Sequence, residues 1–239
     1  MKTSTILIFT TVLVILGFLV AFNFKMKQEY DYELGKGQYQ FMEFTTLKGV
    51  EKIDFKLADG SRVKIVQGTK EGMWINKRVR DNVTFKIADH TLSLSLSHEH
   101  TRTEFSSWNA DIVITTKILK AVEAHAYYSN RSEFKSNSEG TCFVDIDGHQ
   151  PGLFDLKIGE YVNVTLDHMQ IDTLKADIGE ISKKAELTLL SGVKAKVAEI
   201  NIPGNGRLNL YNPMIVKTSY NLSDVATVAV NGKVMKMIK

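Results

Sequence analysis

The first part of the chain is an uncharged, strongly apolar segment, and it constrains the fold more than any later feature. Residues 3–24 read TSTILIFTTVLVILGFLVAFNF and contain no charged side chain, whereas Lys2 precedes them and Lys25 and Lys27 follow them. A helix of this length rises by about 1.5 Å per residue and spans roughly 33 Å, enough to cross a hydrocarbon core of about 30 Å. The pattern predicts a transmembrane segment in residues 1–27.

This segment is either a retained anchor or a removed signal peptide. A secretory signal has an apolar centre of about 7–15 residues, followed by small residues at a cleavage site. Here the apolar stretch is longer, and its nearest match to a cleavage site, residues 19–21 (LVA), is followed by FNF at 22–24. A retained signal-anchor is therefore favoured, and the cleaved signal stays open as the alternative.

The orientation of the segment is an inference from its length and its flanks. Lys2 and the amino terminus balance Lys25 and Lys27, so the positive-inside rule is nearly tied. A short amino-terminal flank before one large domain favours a cytoplasmic amino terminus. We therefore expect a single-pass protein of the inner membrane, with a juxtamembrane linker at 28–47 and a β-rich domain at 48–239 in the periplasm or outside the cell.

Beyond residue 48 the dominant pattern is alternation of apolar and polar residues, which is typical of half-buried strands. Residues 53–57 read IDFKL and residues 92–97 read LSLSLS. Asp59-Gly60 separates the run at 53–57 from a second alternating run at 62–65 (RVKI) and predicts a hairpin turn between them. Residues 119–128 (LKAVEAHAYY) fit either a helix or a strand. The only cysteine, Cys142, stands in the apolar run TCFVDI and is expected to be buried.

The second half of the chain carries a weak repeat of about 20–21 residues. LKIGE at 156–160 recurs as ADIGE at 176–180, and LTL at 187–189 recurs as LNL at 208–210. A period of this size with short strands is typical of stacked coils. The expected fold is an all-β one: a β-solenoid with a strand-rich N-terminal part, preceded by the transmembrane helix. An antiparallel sandwich or meander is the alternative.

These features resemble one family of bacterial envelope proteins. The residues that carry the resemblance are Tyr30-Asp31 after the anchor, IDFKL at 53–57 and VKIVQG at 63–68, followed by the repeats. They are similar to the auto-transporter adhesin head (GIN) domain family. Gly159, Gly179, Asn201 and Asn209 are the best matches to the glycines and asparagines of the family's repeats. The resemblance implies a β-rich fold and an envelope location, and it implies no reaction mechanism.

Two clusters could hold a metal ion, and each has a plainer interpretation. His98-Glu99-His100 would place two imidazoles on one face of a strand, but no further histidine stands at a fixed spacing, so a solvated loop is favoured. Asp145-Ile146-Asp147-Gly148 lacks the third oxygen ligand and the glutamate of a calcium loop, so a turn is favoured. We expect no metal site and no cofactor.

Catalytic constellations are not recognisable in the sequence. The acids Asp155, Asp167, Asp172 and Asp177 are spread through the repeats, and Arg207 is the only arginine near them. No catalytic site is therefore assigned. The remaining candidate is an aromatic patch, with ordinary core packing as the alternative. Its members are Trp74, Trp108, Tyr127 and Tyr128.

The composition narrows the class of partner. The chain has 30 basic and 27 acidic residues, and a net charge of +3 gives no strong field for nucleic acid. The expected function is a non-enzymatic binding, adhesive or structural module of the cell envelope. Its expected partners are the membrane, through the single helix, and envelope proteins or polysaccharide. The alternatives are a carbohydrate-active enzyme and a membrane-tethered regulatory protein.

Overall fold

The protein is described here by a computed structural model that covers residues 3–35, 37–57, 60–96, 110–126, 141–179 and 184–231. The chain divides into two compact units, Met1–Met42 and Glu43–Lys239. The first unit holds one α-helix and the second holds the sheets.

The first unit is built on one long helix, α1, at Thr3–Leu34. The span Leu7–Tyr32 contains an 18-residue window with a mean hydropathy of 2.5 and is long and apolar enough to cross a membrane, a test that a signal sequence also passes. Apolar side chains project from all sides, such as Leu13, Leu16 and Phe18, and they are exposed. Because the helix has no polar face, it is not built to pack on the surface of a soluble core. It is followed by a 3₁₀ turn at Gly37–Tyr39.

Seventeen strands and a second 3₁₀ turn, Arg80–Asn82, make up the rest of the described structure. The strands of the first part of the chain are β1 (Met42–Thr46), β2 (Lys52–Leu57), β3 (Arg62–Gln67), β4 (Gly72–Asn76), β5 (Val83–Ala88), β6 (Thr91–Leu96), β7 (Ile112–Thr116) and β8 (Ala121–Ala126). The later strands are β9 (Cys142–Asp147), β10 (Leu153–Ile158), β11 (Val162–Asp167), β12 (Gln170–Ile178), β13 (Ala185–Leu189), β14 (Lys194–Ile202), β15 (Gly206–Leu210), β16 (Met214–Leu222) and β17 (Thr227–Val230).

The strands form two sheets. The first sheet has nine strands in the order β1-β4-β7-β3-β9-β11-β13-β15-β17, and the second has eight in the order β16-β14-β12-β10-β8-β2-β6-β5. From β6 onward the chain alternates between the two sheets, and each strand from β8 to β15 pairs with the strand two positions later in sequence. Because the chain passes through the other sheet before it returns, adjacent strands within a sheet run in the same direction. The exceptions among the described pairs are β4–β7 and β5–β6, which are antiparallel.

The predicted fold class, an all-β solenoid, is wrong. The described strands form two open sheets of mixed direction, and with the N-terminal helix the molecule is a two-sheet α/β fold. The repeat that suggested coils is the register between parallel neighbours, because Ile158 lies opposite Ile178 and Leu187 opposite Leu208. Sequence spacing reveals which strands are neighbours, and it carries no information on whether sheets close. The antiparallel alternative fails as well, since the central pairs are parallel.

The core lies along the inward faces of the sheets, as the alternation predicts. Cross-strand rows of the first sheet are apolar and almost fully buried, for example Val63, Val144, Val164, Leu187 and Leu208. The second sheet has equivalent rows, for example Leu92, Ile53, Val122, Leu156, Ala176 and Ile200. The buried position expected for Cys142 is confirmed.

Two local expectations are decided by the sheet assignment. The runs on either side of Asp59-Gly60 do not form a hairpin, because β2 belongs to the second sheet and β3 to the first. Gly60 does have a left-handed φ of 78°, so it turns the chain at a corner between sheets. Asp59 lies outside the described residues. The ambiguous run 119–128 contains strand β8, and Tyr127 and Tyr128 lie outside the described residues.

Candidate functional site

The outward face of the second sheet carries a row of charged side chains that crosses several strands. Glu123 on β8 lies opposite Asp54 on β2 and Lys157 on β10, and Lys157 lies opposite Asp177 on β12. Neighbouring strands in a sheet lie about 4.8 Å apart, so the backbone holds these groups at a fixed spacing. The row is therefore a preformed polar surface rather than a set of independent side chains.

A small residue interrupts the next row on this face. Ala121 on β8 lies between Lys52 on β2 and Asp155 on β10. Because its methyl group is short and the flanking side chains are long, a shallow depression of about 190 Å³ opens above it. We call this depression the Ala121 groove, with walls formed by Lys52, Asp54, Thr91, Glu123, Asp155 and Lys157.

The charged groups around the groove differ in how they are paired. Glu123 Oε1 lies 3.0 Å from His125 Nε2, and its Oε2 lies 3.8 Å from Lys157 Nζ. The hydrogen bond from His125 holds the pKa of Glu123 below its ordinary value, aided by the charge of Lys157 and opposed by burial. By contrast, the side chains of Lys52, Asp54 and Asp155 make no ion pair or side-chain hydrogen bond with any residue that the structure describes.

A second depression, of about 260 Å³, lies further along the same face. Here the polar groups satisfy one another: Asn221 Nδ2 donates to Asn201 Oδ1 at 2.8 Å, and Asn201 Nδ2 donates to Asp177 Oδ1 at 2.8 Å. Lys175 Nζ lies 3.6 Å from Glu199 Oε2. A ligand in this depression would have to break interactions that already exist.

The outward face of the first sheet holds a compact network around Asn209. Its Nδ2 donates to Glu186 Oε1 at 2.5 Å and to Thr188 Oγ1 at 3.2 Å, and its Oδ1 accepts from Arg207 Nε at 2.9 Å. Asn209 is buried although it faces outward. The network links β13 to β15, and the polar atoms of its members hydrogen-bond to one another.

Nearer the middle of the first sheet, an arginine covers an aromatic ring. The Arg62 guanidinium lies 5.0 Å from the centre of the Phe143 ring. Asp145 is on the same strand as Phe143, and burial raises the pKa of its carboxyl despite the opposing charges of Arg62 and Lys64. The ring face that a ligand would stack on is therefore occupied.

Three of the four histidines that the structure describes have polar partners of their own. His90 Nδ1 lies 2.7 Å from the Gly49 carbonyl oxygen, His125 contacts Glu123, and His168 Nδ1 lies 3.0 Å from Asp147 Oδ1 and 3.3 Å from Asp167 Oδ2. Within the described ranges, no group of three potential ligands is arranged to hold a metal ion. His98, Glu99 and His100 lie outside those ranges, so that cluster stays untested.

His149 differs from the other histidines. Its side chain is fully buried in the turn between β9 and β10, and neither ring nitrogen has a hydrogen-bond partner among the described residues. Burial lowers the pKa of His149 to about 4, against a smaller opposing effect of Asp147. The ring is therefore neutral at physiological pH and acts as an apolar filler.

The acids singled out in the sequence do not converge on Arg207. Asp155, Asp172 and Asp177 lie on the second sheet, whereas Asp167 and Arg207 lie on the first. Asp172 is paired with Lys196 at 2.7 Å. The acid–arginine groove that a polysaccharide-cleaving enzyme would need is not assembled from these residues.

The remaining sequence candidates have structural explanations where they are described. Gly148 has a φ of 83°, which fits the turn expected after Asp147. Trp74 packs against Phe44 with ring centres 4.8 Å apart. Trp108, Tyr127 and Tyr128 lie outside the described residues, so the aromatic patch as a whole stays a prediction.

Sequence reasoning did not identify the Ala121 groove. The alternation of Lys52, Asp54 and Lys56 with apolar residues does mark an outward charged row. The depth of the groove, however, depends on a small residue on one strand and long residues on its two neighbours. That combination appears only once the register of β2, β8 and β10 is known.

Comparisons with known proteins place the chain among several solved structures at low similarity. No protein-family model matches it, and no curated protein matches it. A candidate adhesin of Bacteroides fragilis is similar, with 16% identity, a TM-score of 0.49, and coverage of 80% of this chain and 96% of that one. A candidate adhesin of Parabacteroides merdae has 15% identity, a TM-score of 0.36, and coverage of 80% and 95%.

A third similar structure is a candidate lipid-binding protein of Parabacteroides distasonis, with 14% identity, a TM-score of 0.35, and coverage of 80% and 94%. Identities and TM-scores this low do not transfer a function. Membership in the auto-transporter adhesin head family accordingly stays a prediction.

Proposed function

We propose that this chain is a membrane-tethered binding module of the bacterial cell envelope, with a non-enzymatic adhesive or structural role outside the inner membrane. The observation that carries the proposal is the pairing of two features in one chain. The span Leu7–Tyr32 contains an apolar window suited to a membrane, and it precedes a sheet domain whose outward faces carry ordered rows of polar side chains.

Binding is favoured over catalysis by how the polar groups are used. Several of them are engaged in cross-strand pairs, such as Asn209 with Glu186 and Lys175 with Glu199. A reaction needs an acid, a base or a nucleophile converging on one point, whereas these rows offer a repeated surface. The resemblance of the sequence to an adhesin head family points in the same direction.

The retained anchor is tested by changing the middle of α1. Two lysines, Val12→Lys with Leu16→Lys, place charges in the apolar window, where each costs about 2.5–3.5 kcal/mol on insertion. We expect the wild-type chain to stay with carbonate-washed membranes and the double variant to be lost from them. The control is the apolar exchange Val12→Leu with Leu16→Val, which should behave as wild type.

The mass of the membrane-bound protein separates the two interpretations of the segment. An intact amino terminus supports the anchor, and a mass that lacks the apolar segment contradicts it. Protease treatment of cells carrying a C-terminal tag tests orientation. Digestion in spheroplasts supports the proposed placement, whereas digestion only after lysis of the inner membrane contradicts it.

A further inference from the structure

We infer that the Ala121 groove is a glycan-binding subsite that holds one sugar ring, with Asp54 and Asp155 accepting hydrogen bonds from its hydroxyls and Lys52 donating to a ring or hydroxyl oxygen. The inference rests on the proposed binding function and gives it a ligand class and a location. Its first support is size. A depression of about 190 Å³ falls below the 300–1,000 Å³ of pockets for drug-sized ligands, and it suits a single ring of a longer chain.

The second support is the unused hydrogen-bonding capacity of the groove. On this face, Lys175 is paired with Glu199, Lys196 with Asp172, and Lys157 with Glu123. Lys52, Asp54 and Asp155 are left without side-chain partners among the described residues, and all three line the groove. Hydrogen bonds made by such ionised groups are roughly twice as strong as neutral ones.

The third support is the mixture of charge signs, which disfavours ions. An anion such as phosphate would meet Asp54, Glu123 and Asp155, and a polyamine would meet Lys52 and Lys157. A neutral polyol avoids both conflicts, because each hydroxyl donates to a carboxylate and accepts from an ammonium group. The charges thus select a neutral, hydroxyl-rich ligand.

The sheet fixes the backbone positions of the groove walls before a ligand arrives. Asp54, Glu123 and Lys157 occupy directly opposed positions on three adjacent parallel strands. Glu123 is fixed further by His125 at 3.0 Å. A backbone spacing that is already fixed reduces the ordering needed on binding, which favours recognition of a weakly interacting sugar.

The steric test fills the groove. The full chain is placed in nanodiscs and titrated calorimetrically with cellotetraose, chitotetraose and maltotetraose. Ala121→Trp should weaken the binding of whichever oligosaccharide binds wild type by at least about 10-fold, since the indole occupies the space above the strand. The matched control is Ala88→Trp, an exposed residue in the same cross-strand row but at the β5 edge of the sheet.

The chemical test removes one acceptor at a time. Asp54→Asn and Asp155→Asn keep the shape of the side chain but remove its charge, and each should weaken binding about 10-fold. Asp172→Asn, on the same face but outside the groove, should change affinity less than twofold. Binding of a neutral sugar should also vary less than twofold between 50 and 200 mM salt, because no counter-ions are displaced.

Binding measurements with two kinds of probe distinguish a soluble glycan from a glycolipid and can overturn the inference. Glycolipid-containing vesicles are tested beside the soluble oligosaccharides, and groove-dependent binding to either supports the subsite. The inference is overturned if wild type binds none of these probes, if Ala121→Trp binds as tightly as wild type, or if only inorganic phosphate or spermine responds to the groove variants. None of these outcomes changes the results of the membrane-retention and protease experiments. The glycan inference can therefore fail while the proposed function still holds.

Discussion

A single buried histidine shows how one residue can set the pH range of the fold. His149 occupies a corner position whose counterparts in the following layers are Met169 and Val193, as the backbone bonds from Gln170 to His149 and from Lys194 to Met169 show. All three side chains are fully buried. The ring therefore fills a place that other layers give to apolar side chains, and it must stay neutral there.

The low pKa of His149 predicts acid sensitivity. An unfolded histidine titrates near 6.5 and the folded one at about 4. Between these values the unfolded state binds more protons, so the free energy of unfolding falls as the pH drops from about 6.5 to 4, by at most about 3 kcal/mol. His149→Leu should remove most of this loss while retaining the packing, as measured by urea unfolding of the full chain in detergent at pH 7.5, 5.5 and 4.

His168 provides the comparison for that measurement. It is 70% exposed and contacts two carboxylates rather than an apolar core. His168→Gln should therefore leave the wild-type acid sensitivity in place. A His149→Leu profile that follows wild type between pH 6.5 and 4 would contradict the assignment.

At the scale of elements, close approach between strands and corners depends on a few glycines. Gly206 begins β15 and is buried, and a Cβ built there would lie 2.8 Å from the Ile178 carbonyl oxygen and 2.6 Å from Ile202 Cγ2. A backbone oxygen cannot move aside cheaply within a sheet. The position therefore excludes any side chain.

We expect Gly206→Ala to destabilise the fold by about 1–3 kcal/mol, because the added methyl group overpacks a fixed site. Gly152→Ala is the matched control, since the nearest atom to its Cβ, Asp172 Oδ2, is 3.8 Å away. Thermal unfolding followed by circular dichroism checks both. Equal melting temperatures for the two variants would show that the contact at Gly206 is relaxed at little cost.

The elements also show what sequence patterns can and cannot predict. Alternation located β2 and β6 because inward residues such as Phe55 and Leu94 must be apolar on any half-buried strand. It could not assign strands to sheets, so Asp59-Gly60 suggested a hairpin where the chain changes sheet. The Ala121 groove could not be predicted for the same reason. Lys52, Ala121 and Asp155 are distant in sequence and become neighbours only through the pairing register of their strands.

At the scale of the whole molecule, the described core is continuous. One cluster of buried residues extends from Leu47 to Leu210 and draws on both sheets. Phe55 and Phe154 are its largest fully buried side chains. A core without a break predicts that the sheet domain unfolds in one cooperative transition rather than in parts.

Removing a large side chain from this core should therefore lower the free energy of unfolding of the whole domain. Phe154→Ala should cost about 3–5 kcal/mol, the sum of lost burial and the cavity left behind. Phe143→Ala, on the outward face under Arg62, should cost clearly less. Tryptophan fluorescence and circular dichroism should report the same shifted midpoint for Phe154→Ala, and separate midpoints would contradict a single core.

The charged row on the outward face of the second sheet has a consequence for antibody recognition and for its imitation by short peptides. Asp54, Glu123, Lys157 and Asp177 stand side by side, yet each comes from a different part of the chain. No linear fragment reproduces that arrangement. Antibodies that recognise it will bind only the folded protein, and a single substitution will alter one point of the epitope while leaving its neighbours unchanged.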